Sequence, residues 1–113
     1  IGFVSDVGVN ALLAQVPECR ALAFLMAGLP VGTGDALVLG LCDAAIDPAR
    51  LDGLRADLAS IAGAADLDAG IVRLMEAASI EPGPASFSAH ADALADAFAA
   101  KSAAGIVAAV AAR

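Results

Sequence analysis

The stretch 28-GLPVGTGD-35 brings three glycines around a threonine and an aspartate. A glycine-rich turn ahead of a helix is where backbone N–H groups cradle phosphate. A Walker loop would need Gly-Lys-Ser/Thr at its end. Here Thr33, Gly34 and Asp35 occupy that region, and a carboxylate repels phosphate. The dinucleotide fingerprint fails as well, since Leu37 stands where the third glycine belongs. The stretch reads as a helix stop followed by a restart.

The run 66-DLDAG-70 opens like a calcium-binding loop. Such a loop needs oxygen ligands at its first, third and fifth positions, glycine at the sixth and glutamate at the twelfth. Gly70, Ile71 and Ala77 fill the last three of those places. The two aspartates are better used to cap a helix.

His90 is the chain's single histidine, and Asp92 follows two residues later. An imidazole beside a carboxylate can act as a general base. The sequence favours a solvated histidine in the first turn of a last helix. Lys101 sits where an exposed helical lysine would, and Ser86 and Ser88 read as caps. Cys19 and Cys42 have no base near them in sequence, so thiol catalysis lacks its activating partner. Two cysteines and one histidine also fall short of a zinc site and lack CxxC spacing. The expectation is no catalytic, cofactor-binding or metal-binding residue, and no enzyme.

The elements that would carry these residues read as helices throughout. Ser5 or Asp6 can cap a first helix whose Val9, Leu12, Leu13 and Val16 share one face. Pro17 ends it and suits the start of a second, so 6–28 holds two apolar helices. Residues 21-ALAFLMA-27 are apolar on every side, the mark of a surrounded helix. Gly28 before Leu29-Pro30 stops it. A hairpin partner over 34–46 follows, although 36-ALVLGLC-42 also fits a short buried strand. Asp47-Pro48 opens a helix over 48–62 with Leu51, Leu54, Leu58 and Ile61 in line, and Asp66 or Asp68 opens one over 66–79. After the loop 80-IEPGPAS-86, a long last helix spans 87–112, where Gly105 and Ala109 lie four apart and permit close packing. The expected fold is all-α: a single domain, 1–113, forming a compact bundle of five to six short helices with a long C-terminal helix.

Composition narrows the function classes. The 113 residues are 60% hydrophobic but 4% aromatic, and alanine supplies about a quarter of them. Alanine favours helix and buries little area, so a core built from it needs close backbones. A net charge of −7 disfavours nucleic acid and anionic membrane surfaces. The longest uncharged stretch, 21–34, is too short to span a bilayer and is broken by Gly-Leu-Pro. The chain starts at Ile1 rather than Met, as a processed or trimmed terminus would, and no segment marks a compartment.

Two further expectations rest on the first two helices. If 17–43 is a helical hairpin turning near Val31, Cys19 and Cys42 come nearly level, and either a disulfide or two buried thiols would suit them. A bridge would imply an oxidising compartment. Between Val7 and Gly34 only Glu18 and Arg20 are charged, so Leu22, Phe24, Leu25 and Met26 are expected in the core or under a protein partner or second copy. The function expected from these features is a non-catalytic structural or interaction subunit of a larger assembly, such as a virion part or accessory subunit. The alternative is a helical carrier for an apolar ligand such as a lipid, pigment or tetrapyrrole.

Overall fold

The computed structural model describes residues 8–113, and helices make up 64% of them. In chain order they are α1 (Val9–Leu13), α2 (Glu18–Ala27), α3 (Thr33–Val38), α4 (Leu51–Ile61), α5 (Leu67–Ala78), α6 (Ser86–Ala93), α7 (Ala95–Phe98) and α8 (Ala103–Ala111), with a 3-10 turn at Pro48–Arg50 ahead of α4. The fold is all-α. Among the described residues β-pairing is limited to one isolated bridge between Ile46 and Ser79, flanked by Ile80 N–H donating to Ala45 O at 2.8 Å. No described helix is long and apolar enough to cross a membrane.

The chain forms two compact units. One comprises Asp43–Pro82 and is a pair of helices, α4 against α5. Its helix starts follow from local chemistry. Asp47 Oδ1 accepts from Ala49 N–H at 2.9 Å, and Asp66 Oδ1 accepts from Ala69 N–H at 3.1 Å, each satisfying a donor that the first turn leaves free. Leu54 and Ala78 are its buried apolar residues on those helices.

The other unit joins residues 8–42 to Gly83–Arg113. Here α2 packs on α6 and α7, α3 on α6, and α7 on α8. Its core is small: Leu13, Ala23, Leu39, Ala91, Ala97 and Ile106. The cap expected at Ser5 or Asp6 lies outside the described residues. Gly28 closes α2 at φ 59°, where the sequence places its stop.

Two expectations about helix length do not hold. The hairpin helix of 34–46 ends at Val38, because Gly40 takes φ 66°. Leu41 N–H then donates to Ala36 O at 2.8 Å and Gly40 N–H to Leu37 O at 3.0 Å, the two bonds of a Schellman stop. The strand weighed for 36–42 is absent, and the helix covers only the first three residues of that run. The long C-terminal helix over 87–112 is likewise replaced by α6, α7 and α8. Leu94 leaves helical geometry at φ −106°, ψ 11°, and Ser102 restarts the chain by accepting from Gly105 N–H at 3.1 Å. Alanine's helix propensity is a weak prior that a local cap overrides.

Candidate functional site

The unit of 8–42 and Gly83–Arg113 is organised around α6, which is held at both ends. At its start, Asp35 on α3 is 3% exposed, and its carboxylate accepts from Ser88 N–H at 2.7 Å and Phe87 N–H at 3.1 Å. A helix start has free N–H groups and a positive dipole end, so a carboxylate from another helix satisfies both. Burial alone would push the Asp35 carboxyl up; the hydrogen bonds from Ser88 and Phe87 outweigh it and hold it below the ordinary carboxylate range. Gly34 lets the two segments of the chain come this close. A Cβ there would meet Pro84 backbone at 2.8 Å and Gly83 O closer still. The glycine that invited a phosphate reading is a packing glycine.

Toward its end, α6 is clamped to α2 by Arg20 and Asp92. Arg20 Nε donates to Oδ1 at 2.7 Å and its terminal nitrogen to Oδ2 at 2.6 Å, a bidentate pair. The guanidinium holds the Asp92 carboxyl below its usual range. Asp92 therefore does not orient His90 as a base. Cys19 Sγ lies 3.8 Å from Asp92 Oδ1 at the edge of this clamp. Between the two ends, the Phe24 and Phe87 rings meet edge-to-face at 6.4 Å and 87°.

Beside these contacts, α2, α6, α7 and α8 enclose an open groove of about 430 Å3. Met26, Phe87, Leu94, Phe98, Ile106 and Val110 supply most of its bulk, and His90 is the one lining side chain that is not apolar. His90 lies in the last turn of α6, not the first turn of a longer helix. Its Nδ1 is 2.6 Å from Ser86 O. A groove of this size and lining falls in the range of small-molecule sites, about 300–1,000 Å3 and mostly apolar with few polar groups.

The other residues singled out in the sequence fall elsewhere. Cys19 and Cys42 are free thiols, and Cys42 lies beyond the end of α3, so the hairpin register that would level them is missing. Within the chain α2 is not surrounded: Ala23 is its buried residue, while Leu25 and Met26 are 42% and 40% exposed. Leu22 and Phe24 are half-buried. Leu22 and Leu25 line a second cavity, about 370 Å3, with residues of α1. Gly105 and Ala109 are half-buried on α8. Among the described residues no group of three or more His, Cys, Asp or Glu side chains is placed to hold a metal ion.

A sequence model of the family described as enoyl-CoA hydratase/isomerase matches residues 1–113, the full length given. The chain belongs to that family. No curated protein and no solved structure matches it. Membership in an enzyme family overturns the expectation of a non-catalytic structural or interaction subunit, the carrier alternative beside it, and the expectation of no enzyme. Clustered acid, base and nucleophile would mark an enzyme in sequence, and these residues supply an apolar surface instead. The groove is hidden in the sequence for a related reason. Its walls come from positions more than sixty residues apart, and each wall alone looks like ordinary core. The legible signal was the apolar face of 103–111, with Ile106, Val107 and Val110.

Proposed function

We propose that the protein acts on acyl thioesters of coenzyme A, adding water across an enoyl double bond or shifting that bond, with the groove of α2, α6, α7 and α8 receiving the acyl chain. An enoyl thioester is electrophilic at its β-carbon, and addition there passes negative charge through the carbonyl to the thioester oxygen. Such chemistry needs donors aimed at that oxygen and a proton-transfer group at the carbon chain. No carboxylate lines the groove. The role its lining supports is binding and exclusion of water.

The observation that carries this reading is the near-complete apolarity of the groove in a chain of this family. Each methylene moved from water into an apolar site contributes about 0.8 kcal/mol, or about fourfold in affinity. The test is turnover of a series of straight-chain enoyl-CoA thioesters, followed by loss of the conjugated double bond's ultraviolet absorbance. The expected result is kcat/KM rising with chain length until the groove is filled. Val107 lines the groove and is 59% exposed, so Val107→Asp leaves the fold intact. It should flatten the dependence on length and spare the shortest substrate. Turnover independent of chain length in the unsubstituted protein would rule the groove out as the acyl site.

A further inference from the structure

We infer that the outer face of α5 is a docking surface for a basic amphipathic helix of a partner protein. This face lies on a different unit of the chain from the groove, and its role is independent of the acyl reading. The helix divides its sides clearly. Gly70 and Ala78 are buried, and a Cβ added at Gly70 would meet Ile61 Cδ1 at 2.9 Å, so that side belongs to α4. Asp68, Ile71, Val72 and Met75 follow the i, i+3, i+4, i+7 spacing of a second side. There Ile71 and Val72 are exposed and Met75 is half-buried.

The charges around this strip say what covers it. Asp68 stands at one end, and Glu76, four residues after Val72, flanks the other, about 12 Å away along the helix. Both are exposed, and among the described residues neither has an ion-pair or hydrogen-bond partner. Arg73, the one basic residue of α5, falls away from the strip by the same spacing. The unit Asp43–Pro82 holds eight carboxylates against three arginines, a balance that repels a second copy, nucleic acid and anionic membranes alike. A basic partner is attracted. Its lysine or arginine stems can lie along Ile71 and Val72 while their charged heads reach the carboxylates. The backbone of α5 is engaged in its own helical bonds and offers no ladder to an extended strand. A helical partner brings its backbone bonds with it.

The experiment titrates the full chain into labelled synthetic helical peptides of about 15 residues and reads fluorescence anisotropy. One peptide carries a leucine stripe flanked by lysines. A second replaces those lysines with glutamates, and a third keeps the lysines and replaces the leucines with alanines. The expected result is binding of the first peptide alone, weakened by added salt. Val72→Ser should weaken it about three- to tenfold and Glu76→Gln about two- to fivefold. Both positions are exposed, so neither substitution disturbs the fold. Asp57→Asn removes the same charge from α4 and should bind within about twofold of the parent. Equal losses in Glu76→Gln and Asp57→Asn, full affinity in Val72→Ser, or equal binding of the first and third peptides would reduce the effect to net charge and overturn the proposal. No binding by any peptide overturns it too, as does a dimer of the chain that Val72→Ser dissociates, which makes a second copy the occupant.

Discussion

Ser88 N–H donates to Asp35 Oδ1 at 2.7 Å across 53 positions of sequence, and this bond sets where α6 begins. Replacing Asp35 with Ala leaves the buried Ser88 N–H and the part-buried Phe87 N–H without an acceptor, at a cost of about 1–3 kcal/mol. The chain has no Trp or Tyr, so far-ultraviolet circular dichroism is the probe for its melting. A variant that melts like the parent protein would show that water replaces the carboxylate without loss.

The same carboxylate makes stability depend on pH. Its folded value is depressed, so its contribution is fully present above the unfolded carboxylate value of about 4 and is lost as pH falls through the lower folded value. Asp92 is depressed in the same direction. Asp35→Asn should therefore shrink, without abolishing, the fall in melting temperature below about pH 4. An acid limb unchanged in that variant would assign the effect to Asp92 or elsewhere.

Gly34 and Gly32 form a matched pair. An added Cβ at Gly34 meets Pro84 backbone at 2.8 Å, whereas at Gly32 it meets nothing within 4 Å. Gly34→Ala is expected to cost about 1–3 kcal/mol, as overpacking against backbone does. Gly32→Ala should stay within about 1 kcal/mol of the parent. Equal effects at the two sites would contradict the close approach of α3 to 83–84.

Ser102 caps α8 through Gly105 N–H. Loss of that cap in Ser102→Ala should destabilise by about 1 kcal/mol and speed amide exchange in the first turn of α8. Because α8 contributes Ile106, Val107 and Val110 to the groove, the same variant should weaken binding of long acyl chains more than short ones.

Arg20 and Asp92 should behave as one unit. Arg20→Ala, Asp92→Asn and the double variant are all expected to expose Cys19 and quicken its alkylation by similar factors, with Cys42 as the internal reference. Independent, multiplying effects in the double variant would mean that the two side chains act separately.

The sequence was legible wherever a structural decision is local. Asp47, Asp66 and Gly28 each act on donors or acceptors within one turn, and each does what its position suggests. Gly40 and Ser102 are local as well, but they sit in apolar and alanine-rich runs whose periodicity masks a stop. The anchors of α6 are another matter. Asp35 and Arg20 find partners 52 and 72 residues away, and neither spacing nor composition encodes that pairing. The groove inherits the difficulty, since it exists only once those anchors are made. Membership in an enzyme family was not legible at all, because an apolar groove is written in the same residues as a helical core.

The unit that contains the groove is discontinuous: residues 8–42 must wait for Gly83–Arg113, with Asp43–Pro82 made in between. At about 5–20 residues per second, synthesis of that middle segment lasts several seconds. Throughout that interval Arg20 lacks its carboxylate, Phe24 its stacking partner, and the apolar side of α2 its cover. The middle unit, whose α4 and α5 are neighbours in sequence, is free to close first. The nascent chain thus carries a sticky, unpaired helix until Gly83–Arg113 emerges. Ribosome-bound chains truncated before Gly83 are where chaperone dependence and aggregation of this protein will concentrate.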